Sequence, residues 1–268
     1  MGTMEVKERA VAAMHSLAMQ DKGKGRDPGS AVNLLASTPS GLQALVSLIE
    51  SGNTSTQGHA AATLGTVARG HTEVQIRVVQ FGGARALGSM LRGGAGGATH
   101  EQAAAALAAI SSPAENTSAI LKENTIAPLI GLLRNGTSAA QVHASEAISN
   151  LAVGREGQDA VQRVGGVRSL LGLLSTGKAQ EHAARALASL AHDNYSIQHE
   201  ICAAGGIAML LALLSTINTE VQVGMPLCVA HVRRTSRVQR ACACVGAACT
   251  CVVCARVCCA RARASTRT

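Results

Sequence analysis

Along GGVRSLLGLLSTG, which begins at Gly165, the apolar residues Val167, Leu170, Leu171 and Leu174 fall at i, i+3, i+4 and i+7. That spacing draws one buried stripe down a short helix, because side chains three and four positions apart share a face. The glycine pair ahead of it breaks the chain, since glycine tolerates the positive φ of a helix end. A glycine or Asn-Gly turn closes the short helices at Gly52, Gly136 and Gly177. A longer, Ala-rich helix comes next: HAAATLGTVA at 59–68, QAAAALAAIS at 102–111, HASEAISNLA at 143–152 and HAARALASLA at 182–191. A third short helix completes the set, as in GQDAVQRVGG at 157–166.

This three-helix unit recurs from Ser40, Gly82, Asn124, Gly165 and Gly205, at separations of 42, 42, 41 and 40 residues. A single unit cannot bury its stripes alone, so a steady period of this length predicts a stack whose neighbours cover one another. The pairs Ala60-Ala61, Ala103-Ala104 and Ala183-Ala184 let the long helices approach closely. Composition agrees: 47% of residues are hydrophobic, yet Phe81 and Tyr195 are the sole Phe and Tyr and there is no Trp, so Ala, Leu, Val and Ile must build the core.

The period, the glycine placement and the SNLA that closes one long helix at 149–152 together resemble the armadillo repeat family. HEAT repeats have two helices and lack the glycine break. The resemblance spans residues 41–222 and implies an all-α, right-handed α–α superhelix of about four to five three-helix repeats with an irregular C-terminal tail. Its expected divisions are a degenerate N-terminal repeat or cap at 1–40, with ERAVAAMHSLA at 8–18 in place of a long helix, then repeats at 41–81, 82–123, 124–164, 165–204 and a partial one at 205–222. In organisation it is similar to scaffold and adaptor members, the vacuolar armadillo protein and β-catenin-like repeats.

In that family the long helices line a concave face, and partner-binding side chains stand at an Asn position, four residues before it and seven before it. Carried onto this sequence, the Asn position is Thr66, Ala109, Asn150 and Ser189. Four earlier stand Ala62, Ala105, Glu146 and Arg185, and seven earlier His59, Gln102, His143 and His182. The partner-binding set expected from the resemblance is therefore His59, Thr66, Gln102, His143, Glu146, Asn150, His182, Arg185 and Ser189. Nuclear import adaptors would carry Trp at the middle position and Asn in most repeats. Here there is no Trp and one such Asn, so the walls that clamp a lysine-rich signal are missing. Glu146 and Arg185 read either as ligand contacts or as a solvated interhelix pair. The histidine column is not expected to bind metal, since equivalent positions in stacked repeats stand about 10 Å apart against ~2 Å metal–nitrogen bonds.

No catalytic constellation is present. GGAGG at 93–97 lacks the Lys-Ser/Thr of a phosphate loop, and Ser189, His192 and Asp193 share one helix end. The expected function is a non-enzymatic scaffold for a protein or peptide segment, with no cofactor, small-molecule substrate or nucleic acid, and with membrane association only through a partner. A transport-type adaptor and the armadillo segment of a U-box ubiquitin ligase are the alternatives.

Charge divides the chain sharply. Residues 1–222 hold 16 Lys plus Arg against 16 Asp plus Glu, whereas 223–268 hold eight Arg and no acid. Cysteine follows the same line, with Cys202 alone before eight in the tail. A thiolate cluster or a basic arm is chemically possible there, but the run of Cys, Val, Ala, Arg and Thr repeats no zinc-module spacing and reads as disordered sequence or a frame error. The body shows no disulfide framework, no apolar run near the ~20 residues of a membrane span and no secretory leader, so a cytoplasmic or nuclear protein is expected.

Overall fold

The computed structural model describes residues 4–20, 30–93, 97–175 and 179–214. The tail at 223–268, residues 215–222 and Gly177 lie outside these. The described residues form fifteen α-helices and one 3-10 turn, with no strand.

The helices succeed one another as the periodicity requires. After α1 (Met4–Gln20) and α2 (Ala31–Ala36) come four triads: α3 (Pro39–Ser51), α4 (Thr54–Ala68) and α5 (Thr72–Gln80); α6 (Gly83–Arg92), α7 (Gly97–Ile110) and α8 (Thr117–Lys122); α9 (Ile126–Asn135), α10 (Ser138–Leu151) and α11 (Arg155–Arg163); α12 (Gly166–Leu173), α13 (Gln180–Ala191) and α14 (Tyr195–Ala203). α15 (Gly206–Leu214) follows. The long helices pack in series, α1 on α4, α4 on α7, α7 on α10 and α10 on α13, and the short helices α3, α6, α9 and α12 pack in a second series behind them. The result is an all-α superhelix of two helical layers closed by the third helices.

The apolar stripes are the seam between the layers. Leu42, Leu45 and Ile49 of α3, Leu129, Ile130 and Leu133 of α9, and Val167, Leu170, Leu171 and Leu174 at α12 are all buried. Each aliphatic side chain of this size contributes roughly 1.5–3 kcal/mol on burial. On α15, Leu210 and Leu213 are buried while Ile207 and Leu211 are half covered. The side chain of Leu214, also expected in that stripe, lies outside the described residues. Among the described residues no single helix is long and apolar enough to cross a membrane; α14 and α15 meet at 78°.

The small residues set how closely the long helices approach. Ala60, Ala61, Ala103, Ala104, Ala183 and Ala184 are fully buried. A Cβ on Gly65 would stand 3.1 Å from Cα of Ala106, so α4 and α7 meet nearly backbone to backbone.

Glycine serves two ends here. Gly82, Gly165 and Gly205 hold φ of 84°, 74° and 75°, the left-handed geometry expected of the glycine pair, and Asn124 takes the same role at φ 52°. At Gly136 the backbone is extended, and glycine is required because a Cβ would meet the Leu132 carbonyl oxygen at 2.5 Å. The first full triad departs from the pattern: α3 opens with Pro39, whose fixed φ suits the first helical turn, in place of a glycine pair.

The long helices also start earlier than their Ala-rich stretches. Asn53 accepts a hydrogen bond from Thr56 N at 2.8 Å, and Thr137 from Ala140 N at 3.1 Å, so polar caps extend α4 and α10 by a turn. Just inside these starts runs a ladder of polar side chains that donate to the end of the preceding helix. Gln57 Nε2 reaches Ile49 O at 2.9 Å, Gln141 Nε2 reaches Leu133 O at 3.2 Å and Gln180 Nε2 reaches Leu174 O at 2.9 Å. His100 lies 2.9 Å from Gly93 O at the equivalent place. Each satisfies a carbonyl that the helix end would leave open.

Candidate functional site

Because α1, α4, α7, α10 and α13 lie side by side, positions recurring once per unit form columns across this layer. Seven residues before the Asn position, His59, Gln102, His143 and His182 are all half-buried. The middle column runs Ala62, Ala105, Glu146 and Arg185, so α4 and α7 contribute a low floor and α10 and α13 contribute charge. The third column runs Thr66, Ala109, Asn150 and Ser189, with Ala109 buried.

Most polar members of these columns are engaged within the array. Thr66 donates to its own turn at Ala62 O, 2.9 Å away. Asn150 Nδ2 donates to Ala108 O at 3.1 Å and Ser111 Oγ at 3.2 Å on α7 and its end. Ser189 and Ser149 share a hydrogen bond at 3.0 Å, joining α13 to α10.

Of the two readings of Glu146 and Arg185, the solvated interhelix pair is not what forms. Arg185 donates to Glu181 at 2.7 Å, one turn back on its own helix. Glu146 instead faces Arg69, from the end of α4, at 3.9 Å. The cause is the gap at α7: Ala105 and Ala109 carry nothing long enough to intervene, so an arginine two units away reaches across.

His143 Nδ1 lies 3.7 Å from Glu146 Oε2. The His143 imidazole, then Arg69 and His182, hold the Glu146 carboxyl below the ordinary glutamate range, against the opposing effect of partial burial. Burial, reinforced by Arg185, pushes the His182 imidazole below its ordinary value, while Glu181 and Glu146 pull the other way. Nδ1 of both His143 and His182 is buried with no hydrogen-bond partner.

A cavity of about 260 Å³ opens where α1, α4 and α7 meet. It brings together His59 and Gln102, as the column predicts, with Ala62, Ser55 and Thr99, and adds His15, whose ring centroid is 5.6 Å from that of His59. At its edge Glu8 accepts a hydrogen bond from Asn53 Nδ2 at 3.1 Å, and contacts with Asn53 and Ser55 lower its pKa.

Among the described residues no three His, Cys, Asp or Glu side chains converge as a metal site. Ser189 faces Ser149, while His192 and the exposed Asp193 pair with each other at 3.3 Å, so these three do not assemble as a nucleophilic triad.

Sequence reasoning missed Arg69, His15 and the capping ladder. Arg69 directly follows a long helix and belongs to no column. His15 stands 44 positions before His59, outside the frame of the other units. The ladder carried a readable signal, since Gln57, His100, Gln141 and Gln180 all stand two places ahead of the column that holds His59, Gln102, His143 and His182.

No family model and no curated protein matches the sequence. Solved structures do. A crystal structure of an engineered protein is 30% identical, with a TM-score of 0.77 over 86% of this chain and 92% of that one. A designed armadillo repeat protein in complex with the peptide (KR)4 is 22% identical, TM-score 0.70, over 84% and 91% of the two chains. A computationally designed armadillo repeat protein for modular peptide recognition is 23% identical, TM-score 0.72, over 83% and 92%. With glycine-broken triads stacked in series, their long helices in one layer and this likeness along most of their length, the chain has the armadillo-repeat fold.

Proposed function

We propose that the chain is a non-enzymatic interaction scaffold that holds an extended peptide segment of a partner protein across its long-helix face, in the cytoplasm or nucleus. It would act as an adaptor in the manner of the vacuolar or β-catenin-like armadillo proteins. The observation that carries this reading is the shallow trough over α7. Ala62, Ala105 and Ala109 form its floor, His59 and Thr66 stand on one side, and His143, Glu146 and Asn150 stand on the other. An extended chain has an unpaired backbone donor and acceptor at every residue. A face that places a half-buried polar group, His59, Gln102, His143 or His182, once per unit suits such a chain better than a globular surface. The designed armadillo proteins of the same fold, one holding (KR)4 and one built for peptide recognition, support peptide capture.

The test is selection of displayed peptides on the full chain, followed by affinity measurement with Ala105→Trp, which raises the trough floor. Selected peptides are expected to lose about tenfold or more in affinity, as for a central contact residue, with helicity unchanged. Binding that survives Ala105→Trp but is lost with Arg85→Glu on the opposite layer overturns the reading.

A further inference from the structure

Glu146 is an ionised carboxylate at the centre of the long-helix face that is met only by long contacts. Its side chain is 29% exposed. Among the described residues the nearest cationic or imidazole nitrogens are His143 Nδ1 at 3.7 Å and Arg69 at 3.9 Å, both beyond hydrogen-bond length. A carboxylate can accept at about four lone-pair sites, and a partly buried anion gains most from a donor that reaches those sites.

The other groups that face it do not fill the vacancy. α7 presents Gln102, Ala105 and Ala109 at its column positions. On α13, Arg185 is committed to Glu181 at 2.7 Å, and His182 is held toward its neutral form by burial and by Arg185. Arg69 alone brings a permanent positive charge, and it does so from two units away with its side chain 53% exposed. A pair at this distance and exposure contributes little to stability.

We propose that Glu146 is the docking point for a cationic side chain, lysine or arginine, of the peptide partner, and that Arg69 is an intramolecular stand-in which the partner displaces. This rests on the peptide-binding reading above. An incoming ammonium or guanidinium that closes to hydrogen-bond distance replaces a loose charge contact with a charge-assisted bond. Arg69, anchored only at the end of α4, is then released to solvent. The trough over α7 is the path the partner follows, and the Arg69–Glu146 contact lies across it, so binding and the stand-in contact compete directly.

The experiment measures binding of fluorescent Ac-(Gly-Lys)4 and Ac-(Gly-Glu)4 to the full chain, wild type, Arg69→Ala, Glu146→Gln and Ala105→Trp, with helicity checked for each. The lysine peptide is expected to bind, to tighten about fivefold with Arg69→Ala and to be lost with Glu146→Gln, whereas the glutamate peptide does not bind. No binding of the lysine peptide to wild type or Arg69→Ala overturns the proposal, as does Arg69→Ala leaving its affinity unchanged or weaker. Equal binding to wild type and Glu146→Gln overturns it as well. If Ala105→Trp still abolishes capture of library-selected peptides in any of these cases, the peptide-binding reading stands and Glu146 is excluded as its cation receptor. If Ala105→Trp has no effect on them, that reading fails with it.

Discussion

Asn194 Nδ2 donates to Gln158 Oε1 at 3.0 Å, linking the N-cap of α14 to α11 of the preceding unit. Both side chains are almost fully buried, and Gln158 Nε2 in turn donates to Ser189 O at 3.2 Å and His192 O at 3.0 Å. A single glutamine thus satisfies the end of the next unit's long helix and orients the asparagine that accepts from Ile197 N at 3.3 Å.

Gln158→Leu is therefore expected to destabilise the array by about 3 kcal/mol, because it removes the Gln158 donor from the His192 carbonyl and the acceptor from the buried Asn194 amide, while the Ser189 carbonyl keeps only the His192 N–H at 3.4 Å. Gln162→Leu removes the bonds to Ser196 and Glu200 at a more exposed place and should cost well under half as much. Thermal unfolding followed by circular dichroism ranks the two. Equal losses would show that burial of the Gln158 network does not govern its contribution.

The α4–α7 seam should respond oppositely to two glycine changes. Gly65→Val puts branched carbon against Ala106 and is expected to cost about 1–3 kcal/mol by forcing the helices apart. Gly58→Ala adds a methyl where no atom lies within 4 Å, in the interior of α4, and should stabilise by roughly 0.5–1 kcal/mol. The check is the denaturant midpoint of each variant, and a Gly65→Val protein as stable as wild type would contradict the tight seam.

Acidification should act in two steps. His182 has a depressed pKa, so the unfolded chain takes up its proton first; the related stability is complete above the ordinary imidazole value of about 6.5 and is lost as pH falls below it. Glu146 is also depressed, so its contribution is complete above about 4.3 and disappears as pH falls through its lower folded value. Melting temperature against pH should accordingly flatten below about 6.5 in His182→Gln and change only on the far acid limb in Glu146→Gln. A His182→Gln curve parallel to wild type between pH 7 and 5 would contradict the first step.

The parts of this structure legible in the sequence are those set by neighbours along the chain. Val167, Leu170, Leu171 and Leu174 announce their helix and its buried side together, and Gly82, Gly165 and Gly205 announce the breaks between helices through their backbone freedom. Asn124 was readable only by position, because it fills a left-handed slot that composition assigns to glycine. The expected columns fall on the long-helix layer, since one residue per period must return to one side. What those side chains touch was not legible. Asn150 turns its amide to α7, and Glu146 meets Arg69 in place of Arg185, because a missing side chain on the intervening helix decides how far an arginine can reach.

The α4–α7 seam, where Gly65 meets Ala106, has a mechanical consequence for the whole array. Among the described residues no side-chain hydrogen bond joins α4 to α7, whereas Asn150 ties α10 to α7 and Ser149 with Ser189 ties α13 to α10. Dispersion between smooth backbones resists separation but offers almost no opposition to sliding, while directional bonds oppose both. Resistance to shear at this seam therefore falls to its neighbours in the other layers, where Asn116 Nδ2 donates to Gln75 O at 3.1 Å and Arg85 to Glu50 at 2.8 Å, so the two units are pinned at their edges and smooth at their centre.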